Sequence, residues 1–360
     1  MVLDDLTRQD AAGPAMVEAR PAASFGPMVQ AHIRIAGTGI HTPEMRRSSA
    51  DIDRDLGRPM GTTEKRTGIR ERPIAGPQSS SFMATEAARA ALVAAGLPAT
   101  GLDMIISACS VPEQPIPAMA PLIQARLGLD RSGIPAFDVN ASCLSFVTAF
   151  DLAAQLIEAK RARNILVVSS EIASRALPWR RDPDTAALFG DGAAAAIVSA
   201  ADGAQGGLLA SHMESWSTGY HDCEIPAGGT RFDFHHDRRD FADGAFFRMD
   251  GKAAYRLAAR VVGPFLEALL GKAGWRLGDV DLVVPHQASR GALDHLVSRL
   301  NIPRGKIVDL IASHGNQIAA SIPTALHHAF ARGRAPRGSN VLVIGTSAGF
   351  SVGGLCLQVA

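Results

Sequence analysis

Apolar residues in this chain gather in short runs bounded by Gly, Pro, Asn and Asp, and these alternate with longer stretches of helical period. HIRIAGTGIHTPE (32–44) reads as a strand entering a Gly-Pro loop, and SSFMATEAARAALVAAG (80–96) as a helix with Ser caps, an Ala/Leu face and Gly96 as its stop. LDMIISACSV (102–111) predicts a buried strand, AMAPLIQARLGL a helix and AFDVN (136–140) a strand. NILVVSSE (164–171) predicts another buried strand, and GDGAAAAIVSA (190–200) a tight turn feeding one more. Strand and helix alternating in this way is the signature of a layered α/β fold.

Beyond residue 200 the pattern changes. Residues 204–246 carry Gly, His and Asp clusters without sustained periodicity and read as a connecting excursion. His235 and His236 there, beside Asp233 and Asp237, invite a metal reading, but adjacent side chains diverge and no second pair stands at ligand spacing, so a solvated loop is expected. Residues 247–274 predict a long amphipathic helix, bent or interrupted near Gly263-Pro264. The remainder of the chain repeats the first half: DVDLVVPHQ matches GLDMIISACS, KIVDLIASHGNQIAASIPTAL matches PAFDVNASCLSFVTAFDLA, and NVLVIGTSAG matches NILVVSSE. Their offsets nearly agree (281 − 103 = 178, 309 − 138 = 171, 340 − 164 = 176), which predicts two copies of one βαβαβ unit packed about a pseudo-twofold axis. The expected organisation is a loose tail over 1–28, a first half over 29–203, the excursion, and a second half over 247–360.

The chemistry concentrates at strand-to-helix junctions, where open α/β sheets place their sites. AFDVNASCLSFVTAFDLAA (136–154) breaks at Asn140-Ala141-Ser142 and restarts as an apolar helix with Cys143 in its first turn. Such a position lowers a thiol's pKa, because the helix end carries partial positive charge and unpaired N–H groups. Taken alone the residue reads more readily as an inert core cysteine. His286 at the end of LVVPH and Asn316 after Gly315 occupy equivalent junctions of the repeat. Arg66, Arg70 and Arg72 in RTGIRER are candidates to meet phosphates, against the plainer reading of a solvated loop.

Composition narrows the class. With 360 residues, 47% hydrophobic and 20% charged, the chain can bury one large core or two fused ones. A formal net charge of +1 argues against nucleic acid or a membrane surface as the main partner. Four scattered cysteines (109, 143, 223, 356) show neither disulfide nor zinc spacing, and fit free thiols in a reducing cytoplasm. The first 28 residues lack the basic and apolar regions of a secretory signal, and no run is long enough for a transmembrane helix.

In order along the chain, RTGIRER, DVNASC, FGDGAAAAIV, VPHQA, HGNQIAASIP and the terminal Gly-rich strand make residues 30–360 resemble the thiolase-like superfamily, within it the β-ketoacyl-acyl carrier protein synthase III branch of condensing enzymes. The resemblance implies an α/β thiolase-like fold, with two pseudo-twofold-related βαβαβ halves in five α-β-α-β-α layers. It implies that Cys143 takes an acyl group from acyl-CoA and that a malonyl thioester, on carrier protein or coenzyme A, then condenses with it. His286 and Asn316 would stabilise the enolate, and the N–H groups of Cys143 and Ala348 would form an oxyanion hole. Arg66 would contact coenzyme A, and Ile116, Leu144, Phe189 and Thr346 would line the acyl pocket. No cofactor or metal is implied, and a cytoplasmic homodimer is. Three departures stand out. MGTTEK replaces an aromatic residue that often stacks on adenine, VPHQAS has Ser289 for the usual Asn, and Gly291 and Ser298 break the basic face, leaving Arg290 and Arg299. An acyltransferase passing the Cys-bound acyl group to a small acceptor, and a noncatalytic partner subunit, are the alternatives. A non-decarboxylative condensation would need a carboxylate base, for which Glu113 does not fall at the matching place.

Overall fold

The computed structural model describes residues 30–201 and 206–360; the expected tail over 1–28 lies outside the described residues. The first half runs β1 (Ile33–His41), α1 (Ser80–Ala95), β2 (Met104–Ser107), α2 (Met119–Arg126), β3 (Ala136–Asp138), α3 (Ser145–Glu158), β4 (Asn164–Glu171) and β5 (Gly192–Ala200). Its sheet has the order β1-β5-β4-β2-β3, with β3, β2 and β4 parallel and β5 antiparallel to both of its neighbours, β4 and β1. The second half runs β6 (Gly207–Ser215), α4 (Gly251–Ala273), β7 (Leu282–Pro285), α5 (Arg290–Ser298), α6 (Ser321–Ala331), β8 (Asn340–Ser347) and β9 (Ser351–Gln358), with the order β7-β8-β9-β6. The counterpart of β3 is reduced to one bridge, between Val283 and Ile307.

Alternation along the strands explains the layering. In β4, Ile165 and Val167 face a central layer made by α3 and α6, while Leu166 and Val168 face α1 and α2. In β8, Val341 and Val343 join the same central layer, and Leu342 and Ile344 face α4 and α5. The result is five layers: α1 with α2, the first sheet, α3 with α6, the second sheet, α4 with α5. This is why α3 is apolar nearly all round: Phe146, Ala149, Phe150 and Ala153 are fully buried between two sheets. Close approach in the outer layer uses glycine. A Cβ on Gly39 would collide with the Ala87 carbonyl oxygen of α1, so the Ala-rich face of α1 lies directly on β1.

Two elements differ from expectation. The excursion over 204–246 contains β6, whose Leu208 and Ala210 are buried while Ser211, His212 and Glu214 are half-buried, so the second sheet gains its edge strand from a stretch that looks irregular by composition. The long helix begins at Gly251 rather than 247, because Asp250 caps it by accepting N–H groups from Lys252 (3.1 Å) and Ala253 (2.9 Å), and it continues through Pro264 to Ala273. Residues 248–249 instead pair with 223–224 in a two-stranded ribbon. Asp233 accepts the backbone N–H groups of His235 and His236, so the His-Asp cluster of the excursion forms a self-contained turn. No helix among the described residues is long and apolar enough to cross a membrane.

Candidate active site

Between β3 and α3 the chain makes a tight turn that carries Cys143. The Asn140 Oδ1 accepts the Ser142 N–H (2.9 Å), and Ser142 takes a left-handed conformation with φ 52°. Ser145 closes the turn: its Oγ accepts the Ala141 N–H (2.9 Å) and donates to the Ser142 carbonyl (2.7 Å). Helix α3 starts at Ser145, so Cys143 stands before the helix and not in its first turn as expected. Its Sγ faces two backbone N–H groups, its own and that of Ala348. Those donors favour a thiolate, but burial outweighs them; with Glu171 and Cys223 nearby, the thiol is pushed up to about 12. The lowered pKa expected from the helix end is therefore corrected, because the sulfur is enclosed by protein and removed from water.

The second half supplies His286 and Asn316. His286 leaves β7 with its N–H donated to the Ile344 carbonyl (2.8 Å), and a Cβ on Gly345 would stand 2.9 Å from its own Cβ. Burial pushes the imidazole down to about 4, so it is neutral at physiological pH, and its Nδ1 has no partner within the described residues. Gln287 anchors the loop by donating to the Pro285 and Val308 carbonyls (2.9 and 3.0 Å) and accepting the Leu310 N–H (2.9 Å). The backbone of Asn316 is held by the first half, its N–H donating to Leu188 (2.8 Å) and its carbonyl accepting from Gly190 (3.1 Å). Its side chain is oriented at both ends: Oδ1 accepts the Ile318 N–H (2.8 Å) and Nδ2 donates to the Ala288 carbonyl (3.3 Å).

The turns around Cys143 and Asn316 are the same turn made twice. Asn140 repeats Asn316 in both bonds, its Nδ2 donating to the Ser110 carbonyl at 2.9 Å. Ile318, with φ 50°, repeats Ser142. Ser321 repeats Ser145, accepting the Gln317 N–H at 2.9 Å. The shared offset is 176, that of β4 and β8 (340 − 164). By the same register Cys143 matches Ala319, and Glu171 matches Ser347. At the offset of β2 and β7 (285 − 107 = 178), His286 matches Ala108, whose N–H likewise bonds a strand carbonyl, that of Val168 (2.7 Å). The Ala319 N–H meets the Glu171 carboxyl, which also accepts from Ser110 (2.5 Å) and Val111 (3.4 Å). Full burial pushes Glu171 up to about 8.

The pocket residues divide. Leu144 is buried against β8 and β9, close to Gly345 and Gly353. Phe189 bridges to Asn316 and packs edge-on against Phe247 (5.1 Å between centroids). Thr346 is half-buried in β8, two residues before Ala348. Ile116 departs from expectation: it is 85% exposed, and one chain does not bring it to the other three, because its loop leaves the body after β2. Arg66 lies at the surface, pairing with Asp184, which also binds Arg58 at 2.6 Å. Arg72 is corrected from a phosphate ligand to a buried strut, donating to the carbonyls of Arg47 (3.1 Å) and Ala187 (3.0 Å) and to Ser49 Oγ (3.0 Å). Arg290 is engaged by both Asp309 oxygens (2.5 and 3.1 Å), and Glu113 caps α1 by accepting the Ser81 N–H (2.8 Å). Asn140, Ser110 and Glu171 escape a reading of the sequence. The available signal is an Asn followed five residues later by Ser in both copies, at 140/145 and 316/321.

A cysteine-bearing turn and its twin, set between two open sheets around paired central helices, define the thiolase-like class. The comparisons with known proteins narrow this. Family models for 3-oxoacyl-[acyl-carrier-protein] synthase III match residues 137–217, and for its C-terminal part residues 270–359. The chain is 38% identical to the beta-ketoacyl-[acyl-carrier-protein] synthase III of Bordetella petrii, over 90% of this chain and 97% of that one. It is 35% identical to the enzyme of the same name from Aquifex aeolicus, over 90% of this chain and 99% of that one. The solved structure of 3-oxoacyl-(acyl carrier protein) synthase III from Pseudomonas aeruginosa superposes with a TM-score of 0.81 at 33% identity, covering 91% of this chain and 98% of that one. The chain belongs to the 3-oxoacyl-acyl carrier protein synthase III family of condensing enzymes.

Proposed function

We propose that Cys143 takes an acyl group from acyl-CoA and that the acyl-enzyme then condenses with a malonyl thioester, on acyl carrier protein or coenzyme A, to a 3-oxoacyl product for fatty acid or polyketide assembly. The observation that carries this reading is the pair of backbone N–H groups, its own and Ala348's, that favour a thiolate at Cys143 Sγ, next to Leu144, whose side chain closes on Gly345 together with His286. In acylation the Cys143 sulfur adds to the thioester carbonyl, the Cys143 and Ala348 N–H groups hold the oxyanion, and coenzyme A leaves as its thiol. Loss of CO2 from the malonyl thioester then leaves an enolate whose oxygen takes hydrogen bonds from neutral His286 and the Asn316 amide. Its carbon attacks the acyl carbonyl, and the Cys143 sulfur departs. A neutral imidazole suits this role, since it donates without giving up a full proton.

Arg66 is proposed to contact coenzyme A by exchanging its Asp184 partner for a phosphate. Leu144, Phe189 and Thr346 line the acyl pocket of their own chain. Ile116, exposed on its loop, serves the pocket of a second copy in a homodimer. The chemistry needs no cofactor, and four unbridged thiols accord with a cytoplasmic setting. Intact-mass analysis after incubation with acyl-CoAs, followed by malonyl-CoA or malonyl carrier protein, tests the scheme. His286→Ala and Asn316→Ala are expected to acylate normally and to condense about 100-fold more slowly, each having lost one donor to the enolate. Normal 3-oxoacyl formation by either variant would overturn the assignment and favour acyl transfer to a small acceptor.

A further inference from the structure

We infer that Asn140 is a positioning residue for the Cys143 step. Its side chain sets the turn that aims the Cys143 N–H and Sγ, as the matching side chain of Asn316 sets its own turn. The inference rests on the reading of Cys143 as the acylated group. The geometry behind it is a continuous chain of hydrogen bonds. Glu171 accepts the Ser110 N–H (2.5 Å), the Ser110 carbonyl accepts from Asn140 Nδ2 (2.9 Å), and Asn140 Oδ1 accepts the Ser142 N–H (2.9 Å). Ser142 is thereby kept at φ 52°, a conformation a non-glycine residue adopts only when its surroundings hold it. The next residue is Cys143, whose N–H direction follows from the Ser142 backbone. An Asn side chain accepting the N–H two residues on is a self-contained turn that favours this conformation. Ala at 140 offers no acceptor. The Ser142 peptide then relaxes toward ordinary φ, and the Cys143 N–H swings off the line to Ala348's.

Removing an oxyanion donor costs about 100- to 1,000-fold, so tilting one is expected to cost about tenfold. Single-turnover acylation of Asn140→Ala by an acyl-CoA, normalised to Cys143 titratable by iodoacetamide, should fall about tenfold with KM within about twofold. Asn140→Asp keeps the acceptor for Ser142 and should return to within about threefold at alkaline pH. Its pH-rate profile should move to higher pH, because the added negative charge opposes the thiolate. A purely structural role would lower melting temperature and the titratable fraction while leaving the rate per titratable thiol unchanged. A wild-type rate per thiol in the Ala variant overturns the inference. Should that variant not fold, a rate per titratable thiol that stays about tenfold low at alkaline pH in the Asp variant, which keeps the acceptor, overturns it equally. Cys143→Ala is the control: persisting acylation there means that the reading of Cys143 has failed, whereas its loss alongside a fully active Asn140→Ala means that only this inference has.

Discussion

The two turns of the molecule, 140–145 and 316–321, share backbone, Asn and Ser, yet only one carries a sulfur. At Cys143 two N–H groups converge on Sγ; at Ala319 the N–H is taken by the buried Glu171 carboxyl. Where the second half has His286, the first has Ala108. The repeat keeps the conformations and differs in the side chains, with the cysteine in one copy, the imidazole in the other, and a carboxyl at the twin turn. The Asn is retained in both copies, which separates its conformational duty from any catalytic one.

The sharpest way to break this comparison is to move the sulfur. Cys143→Ala is expected to abolish acylation, and adding Ala319→Cys should not restore it, since Glu171 occupies the donors there. One acyl mass per chain in the double variant, read by intact-mass spectrometry, would show that the halves are interchangeable. Next in size is the pH response of the thiol. Because burial pushes Cys143 up to about 12, its thiolate fraction grows about tenfold per pH unit below that value. Iodoacetamide alkylation should therefore climb without levelling between about pH 6 and 9. A plateau near neutrality would restore the helix-end picture.

Thr346 sharpens the acyl side. The resemblance implies that Thr346 and Ile116 stand where short-chain members often carry Phe, and each CH2 newly accommodated would contribute about 0.8 kcal/mol, close to fourfold in binding. Donors longer than acetyl, medium chains above all, are expected to acylate fastest across a C2–C12 series, and Thr346→Phe should shift the optimum downward. A maximum at acetyl would remove the argument. The smallest expected effect concerns Glu171. Its folded pKa, about 8, lies above the usual 4.5, so the folded state holds a proton that the unfolded chain releases. Stability from this group is present below the unfolded value and is lost as pH rises toward 8. Glu171→Gln should flatten the melting temperature between pH 5 and 8 by a few degrees relative to the parent protein; parallel curves would count against it.

Much of the fold is legible in the sequence because buried strands and helices impose their periods on it. β2, β4 and β8 read directly as apolar runs, and the near-constant offsets expose the repeat. β6 does not read so, because a bulge turns Leu208 to the central layer and Ala210 to the side of α4, and half-buried His212 and Glu214 interrupt the apolar run, diluting the signal. For the site, junction residues Cys143, His286 and Asn316 are visible from position and resemblance. The ionisation of Cys143 is not, since it depends on enclosure by distant segments such as 223 and 348. Ile116 escapes within one chain for a similar reason: sequence order says nothing about which way a loop faces.

The fastening of Asn316 has a last consequence. This residue belongs to the second half but hangs by its backbone from Leu188 and Gly190 of the first, while Gln317 Nε2 donates to the Asp191 carbonyl at 2.9 Å. A chain severed between the halves would thus yield two fragments, neither with a finished Asn316 turn, and each would have to capture the other before the turn could close. Complementation by co-expressed fragments should therefore recover acylation and condensation together, at one shared midpoint of fragment concentration, because the same docking that encloses Cys143 also fastens Asn316.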